Sequence, residues 1–171
     1  MKITKLPSNI EEFVQLRDEI ANTPEGGATI FLLALKIYAE NPEFGKQCFV
    51  VAADRNRLTS GNAYKGYELS RADFSLIESQ LKRNKRIPNS YIKGTKTENN
   101  YEVNLPYEYE FSSNPYSGDP KTGKYKLFVK CSGADSDRPI HVTKNNRGIW
   151  KASNWSSVVV GIKKPQIDDD I

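Results

Sequence analysis

The chain has one histidine and two cysteines among 171 residues, and this scarcity removes several chemistries at once. A transition-metal centre built around His141 alone would need carboxylates and thiolates to complete it. Cys48 and Cys131 stand apart, without the paired spacing such centres use. No metal and no cofactor is expected. Both cysteines lie in apolar stretches and read as reduced core residues, with a disulfide between them left open. No run of about 20 apolar residues is present to cross a bilayer, so no membrane partner is expected. The opening Met-Lys-Ile-Thr-Lys-Leu-Pro-Ser has neither an apolar centre nor a small-residue cleavage site, which makes the cytoplasm the expected compartment. A one-sided charge is also missing. The 25 Lys and Arg face 21 Asp and Glu, a net of +4 that falls short of a dedicated nucleic-acid binder.

What is present is a strong helical core signal. Ala28–Tyr38 reads Ala-Thr-Ile-Phe-Leu-Leu-Ala-Leu-Lys-Ile-Tyr, apolar on nearly every helical face, which predicts a buried helix. Thr23 is its expected N-cap, Pro24 its first residue, and Asn41-Pro42 its stop. Gly26-Gly27 stands where a phosphate loop would begin. The Lys-Ser/Thr pair of the Walker pattern does not follow, so close packing or a kink is the better reading. Upstream, Ser8-Asn9-Ile10-Glu11 has capping-box form, and Phe13, Leu16 and Ile20 recur at helical spacing. Downstream, Asn41-Pro42 opens a third helix over 43–54, with a buried strand over 48–53 as the alternative. Residues 58–68 are polar and glycine-bearing and read as a loop. Ser70 then starts a fourth helix that closes on Lys82-Arg83-Asn84-Lys85-Arg86, cations suited to its negative end.

After Pro88 the periodicity changes to alternation. Tyr101, Val103, Leu105, Tyr107, Tyr109 and Phe111 share one parity, which predicts a half-buried strand disturbed by Pro106. An exposed loop follows over 112–123. Strands are then expected at 124–131, 140–143, 149–152 and 157–162, with a frayed tail from Lys163 to Ile171. Helices followed by strands indicate an α+β fold, with about four N-terminal helices on one face of a C-terminal antiparallel sheet. One domain over 1–171 is expected, helical over about 8–86 and sheet over about 100–163, because each half alone would leave an apolar face uncovered.

Candidate chemistry is sparse. Ser132-Gly133-Ala134-Asp135-Ser136-Asp137-Arg138-Pro139 concentrates small, acidic and basic groups between two strands. Its Asp-x-Asp lacks the further oxygen ligands and turn glycine of a calcium loop, so Asx-turns and a local Asp–Arg pair explain it more simply. A Cys131–His141 dyad fails on parity. If Ile140 and Val142 join Leu127 and Val129 on the buried face, Cys131 points inward and His141 outward. Glu102, Glu108 and Glu110 on one strand face suggest a wet face before a carboxylate pair. Trp150 reads as core, and Trp155 is undecided between core and surface. No residue is assigned a catalytic role.

The motifs Gly26-Gly27-Ala28, Leu32–Leu35, Tyr38, Asn41-Pro42-Glu43, Gly45, Ser132–Ser136, Arg138-Pro139, Gly148, Trp150 and Ser156-Ser157 together resemble a functionally uncharacterised family of bacterial domains. The resemblance covers most of the chain. It implies no activity, and it implies that the Ser132–Pro139 loop is a shared feature of the fold.

The expected function is a non-enzymatic binding or interaction module with an unknown protein or small-molecule partner. Its expected surface comprises Ser132, Asp135, Asp137, Arg138, His141 and Trp155. One alternative is a small hydrolase or ligand-binding enzyme using Asp135, Asp137 or His141 between helices and sheet. A second is weak nucleic-acid binding through Lys82, Arg83, Lys85 and Arg86, which the plain reading of a solvated helix end disfavours.

Overall fold

The computed structural model describes residues 1–166. Four α-helices occupy the N-terminal half: α1 (Ile10–Ile20), α2 (Pro24–Glu40), α3 (Pro42–Ala52) and α4 (Arg71–Arg83). Their boundaries follow from capping chemistry. The Thr23 side chain accepts from the Gly26 amide at 3.1 Å, with Pro24 opening α2. Asn41 accepts from the Phe44 amide at 3.3 Å at the start of α3. At α1 the cap is Asn9 and not Ser8. Its Oδ1 accepts from the Glu12 amide at 2.9 Å while the Glu12 carboxylate reaches past the cap to the Ser8 amide, so the cap sits one residue later than predicted and the reciprocal bond of a capping box goes to the preceding residue.

Every residue of α2 from Gly26 to Tyr38 is buried. The helix lies against α3 on one side and against the main sheet on the other. That sheet is antiparallel, in the order β5 (Phe111–Ser112), β6 (Lys124–Val129), β7 (Arg138–Lys144) and β8 (Trp150–Asn154). Leu127 pairs with Ile140 and Tyr125 with Val142, so the buried parity is the predicted one. Cys131 is buried, and His141 pairs with Lys126 on the opposite face. The fold is therefore α+β, with helices layered on one face of an antiparallel sheet.

Glycines set how closely these layers approach. A Cβ on Gly27 would lie 2.7 Å from the Cβ and carbonyl oxygen of Trp150 in β8, and one on Gly45 would run into the backbone of Tyr38. Gly26-Gly27 thus serves the predicted close packing and does not form an anion loop.

Four expectations are corrected. Residues 58–68 are not a loop: β2 (Leu58–Tyr64) and β3 (Tyr67–Leu69) form a hairpin. Its turn is Lys65-Gly66, both at positive φ (50° and 83°), the backbone that two-residue hairpins demand. The expected strand over 101–111 is divided between two sheets. β4 (Tyr107–Glu108) pairs with β1 (Lys2–Ile3), and only Phe111–Ser112 joins β6, while Asn100 and Tyr101 adopt left-handed backbone. The last strand over 157–162 is instead a 3-10 turn, Ser156–Val158, followed by unpaired chain. Side chains supply what a ladder would have supplied: Tyr91 OH donates to the Val158 carbonyl at 2.6 Å, and Arg138 donates to those of Val160 and Gly161 at 3.2 and 2.6 Å. The tail is anchored through residue 166. Tyr101 OH donates to the Lys163 carbonyl at 2.6 Å, and the Gln166 amide donates to Thr97 at 3.0 Å. Asp168-Asp169-Asp170 lies outside the described residues.

Both cysteines are free and buried, and burial pushes the Cys48 thiol far above its ordinary range. Neither thiol should react with an aromatic disulfide reagent at pH 8 until denaturant is added. Rapid labelling of the native protein would contradict the packing.

Candidate functional site

The Ser132–Pro139 connection is built differently from the expected Asp–Arg pair. Among the described residues Arg138 pairs with neither aspartate; it holds Tyr91 OH at 3.0 Å together with the two carbonyls above. Asp135 instead meets Lys163 at 2.6 Å. That ammonium pulls the exposed carboxyl below its ordinary range. Ser132 shares a 2.8 Å hydrogen bond with Thr95 and donates to the Ser90 carbonyl. Asp137 is exposed. This segment therefore fastens the C-terminal chain to the sheet.

Trp155 is corrected from a surface candidate to a core residue. It is 3% exposed and stacks on Phe31 of α2 with ring centroids 4.5 Å apart. The expected surface edge does not form, because Ser132 and Arg138 are engaged in the fold and Trp155 is inside it. Glu102, Glu108 and Glu110 are also separated by the division of their segment: Glu102 is exposed, and Glu108 lies 3.9 Å from Lys93. In the basic run, Lys82 lies 3.9 Å from Glu78 at i,i+4 spacing, the arrangement of a solvated helix end. Of the predicted residues, Ser132 lines a small cleft of about 200 Å³ beside Ser90 and Thr95, and His141 lines a larger one.

That cleft, about 670 Å³, has the outer face of β6 and β7 as its floor and is lined by Arg57, Lys124, Lys126, His141 and Thr143, with Asp54 and Tyr116 among its other residues. A second cleft of about 480 Å³ adjoins it through Asp54 and is lined by Arg17, Arg55, Lys65, Arg147 and Lys151, with Tyr64 and Tyr67 of the hairpin. Strand register ties the two together. Lys124 stands opposite Thr143, and Thr143 opposite Lys151, so the backbones of the two lysines stand about 10 Å apart across three strands. Eight Lys and Arg side chains thus line the pair of clefts, against the single carboxylate of Asp54. Arg17 is engaged by Asp18 at 2.8 Å and Arg57 lies 3.9 Å from Asp73, so not all of this charge is uncompensated.

Lys151 is the most perturbed cation. Its ammonium donates to the Val51 carbonyl at 2.5 Å, at the C-terminus of α3, a helix with no basic residue in its own last turn. Burial, reinforced by Arg17 and opposed by Asp54 and Asp18, lowers its pKa from 10.5 to about 8. Burial and the neighbouring Lys126 also lower the pKa of His141, favouring its neutral form. The hairpin adds cation–aromatic pairs: Arg55 lies 4.8 Å from the Tyr67 ring centroid, and Lys65 lies 5.5 Å from that of Tyr64. Sequence reasoning missed this site because its charges come from six separate stretches between residues 17 and 151. Only the Lys124, Lys126 and His141 parity hinted at it.

These features define an α+β domain with helices on one side of an antiparallel sheet and two adjoining cation-rich clefts, one over the outer face of β6 and β7 and the other lined by α1, α3 and the β2–β3 hairpin. The chain belongs to the family described as "Domain of unknown function (DUF6935)", whose model matches residues 5–166. No curated protein and no solved structure matches it.

Proposed function

We propose that this domain is a non-enzymatic binding module whose ligand is anionic and seats in the two clefts that meet at Asp54. One observation carries the reading: eight cations line two adjoining clefts that share the carboxylate of Asp54, only Arg17 and Arg57 among them being met by a further carboxylate among the described residues, in a chain whose charges nearly balance. A hydrolase would need acid and base groups gathered at one point. Asp135 is tied to Lys163 outside both clefts, and His141 is flanked by Lys126, which argues for binding. Two unbridged cysteines suit a reducing compartment, supporting the cytoplasm as the place of action.

Titration calorimetry with tripolyphosphate at low salt tests the reading. Binding should weaken with added salt. Affinity for inorganic sulfate, which does not titrate in this range, should also weaken between pH 7 and 9, because Lys151 loses its proton near pH 8. The charge reversal Arg147→Glu, in an exposed turn, should reduce affinity at least about tenfold, or 1.4 kcal/mol. Absence of binding at low salt, or indifference to Arg147→Glu, would overturn the assignment. The same lysine gives the unliganded protein an opposite trend. Its folded pKa lies below its unfolded one, so the unfolded chain binds more protons between pH 8 and 10.5, and its contribution to stability rises with pH across that window.

A further inference from the structure

We infer that the anionic occupant of these clefts is a single-stranded nucleic acid, with an unpaired base stacked on Tyr116. The inference rests on the anion-binding reading and adds an observation that charge alone does not explain. Tyr116 is 87% exposed and lines the larger cleft beside Lys124 and Lys126, whereas Tyr91, Tyr101, Tyr107 and Tyr109 are buried.

Its backbone is not loose. The Asn114 side chain accepts from the Tyr116 amide at 2.8 Å, and the Asn114 amide donates to the Ser117 hydroxyl at 3.0 Å. The Ser117 carbonyl in turn accepts from the Lys126 amide of β6 at 3.0 Å. A fixed loop thus carries an uncovered aromatic ring at the rim of a cationic floor. An inorganic anion or an acidic peptide gives such a ring nothing to stack on. A nucleobase does, and only an unpaired one exposes its face.

The other lining groups fit the same ligand. Lys124 and Lys126, two residues apart on one face of β6, have backbones about 7 Å apart and can meet successive phosphates of a strand. Thr143 and Ser153 add hydroxyls to the same cleft. At the far end, Tyr64 and Tyr67 already carry Lys65 and Arg55 on their rings, which leaves cation and ring side by side for a second nucleotide. The mild net charge predicts modest, salt-sensitive affinity. Neutralising three or four phosphates gives a logarithmic salt slope of about −2 to −3.

Fluorescence anisotropy with labelled oligo(U) and oligo(dT) of about 12 nucleotides, within the usual span of a small single-strand site, tests the proposal. Tripolyphosphate and poly-glutamate serve as competitors. Both oligonucleotides, or one if the sugar is read, should bind more tightly than poly-glutamate. Tyr116→Ala should weaken oligonucleotide binding about five- to 100-fold, the range of one lost base stack, while leaving tripolyphosphate affinity unchanged. Tyr116→Phe should retain binding. Replacing Lys82, Arg83, Lys85 and Arg86 with Gln should weaken tripolyphosphate and oligonucleotide alike and by less than Arg147→Glu does. Tripolyphosphate binding without oligonucleotide preference, or Tyr116→Ala without effect, overturns the nucleic-acid assignment and leaves the anion cleft standing. Tighter binding of poly-glutamate overturns it in favour of an acidic peptide. Failure of every anion to bind removes both readings.

Discussion

Replacing Gly27 with alanine is expected to lower the unfolding free energy by about 3 kcal/mol, the upper end of what overpacking a core usually costs. The new methyl would lie 2.7 Å from the Trp150 carbonyl oxygen and Cβ and 2.9 Å from its carbonyl carbon. Two of these three atoms are backbone, so no rotamer change relieves the clash. The strand cannot easily withdraw, since the Trp150 amide donates to the Ala21 carbonyl at 2.8 Å, anchoring β8 to the corner between α1 and α2. Nor can α2 retreat, because Gly45 of α3 already meets the Tyr38 backbone on its other side. Urea denaturation should show a lower midpoint with an unchanged slope. A variant of normal stability that had lost anion binding would instead mean that Gly26-Gly27 cradles a ligand. Calorimetry with tripolyphosphate on the same sample separates the two outcomes.

The helical half was legible because its signals are local. Thr23-Pro24 and Asn41-Pro42 act within one turn, and the apolar run Ala28–Tyr38 needs no partner to identify it as buried. The parity of β6 and β7 was legible for a similar reason: a slip of one residue would have exposed Ile140 and Val142. What failed was non-local. Residues 101–111 alternate like a strand, yet β4 is captured by the N-terminal Lys2–Ile3 and β5 by β6, and no window of the sequence contains both partners. Residues 157–162 are apolar enough for a strand, but Arg138, about 20 residues away, takes the carbonyl groups that would have joined a ladder. The hairpin over 58–69 was missed for its small polar residues, although Lys65-Gly66 carried the turn signal.

The candidate site was harder to see for the same physical reason. Its cations are distributed singly along the chain, and no short segment among them is basic enough to stand out. The compact run Lys82–Arg86 stands out and closes a helix end. Clustering in space follows from the β6–β7–β8 register and from the return of α3 into the Asp54–Arg57 segment, where the Asp54 amide donates to Ala152 at 2.8 Å. Residues 131–139, unusual in composition, are explained by Arg138 and Ser132 binding backbone carbonyls. Local composition marked a structural clasp there, and tertiary assembly made the cationic surface.

Trp155→Ala should cost about 4 kcal/mol, within the range for deleting a large buried aromatic, and should not act as a binding mutation. The indole lies on Phe31 with rings 28° from parallel, and Phe31 also touches Phe49 of α3, at 5.9 Å between centroids. Removing it opens a cavity where α2, α3 and the chain after β8 meet. Val158 and Val159, both fully buried, could refill that space only by dragging the Ser156–Val158 turn and Tyr91, which holds the Val158 carbonyl, out of place. On the solvent side the Arg57 guanidinium lies 5.7 Å from the same ring. It would lose that contact while keeping its 2.6 Å hydrogen bond to the Ser153 carbonyl, so the larger cleft should survive in whatever fraction of the variant is folded. The expected result is therefore a large fall in denaturation midpoint with tripolyphosphate affinity nearly unchanged once corrected for the folded population. Trp155→Phe should recover part of the loss, because a smaller ring still covers Phe31. A surface anchor would behave in the reverse way: exposed substitutions usually shift stability by no more than about 0.5 kcal/mol, and the loss would appear in affinity instead.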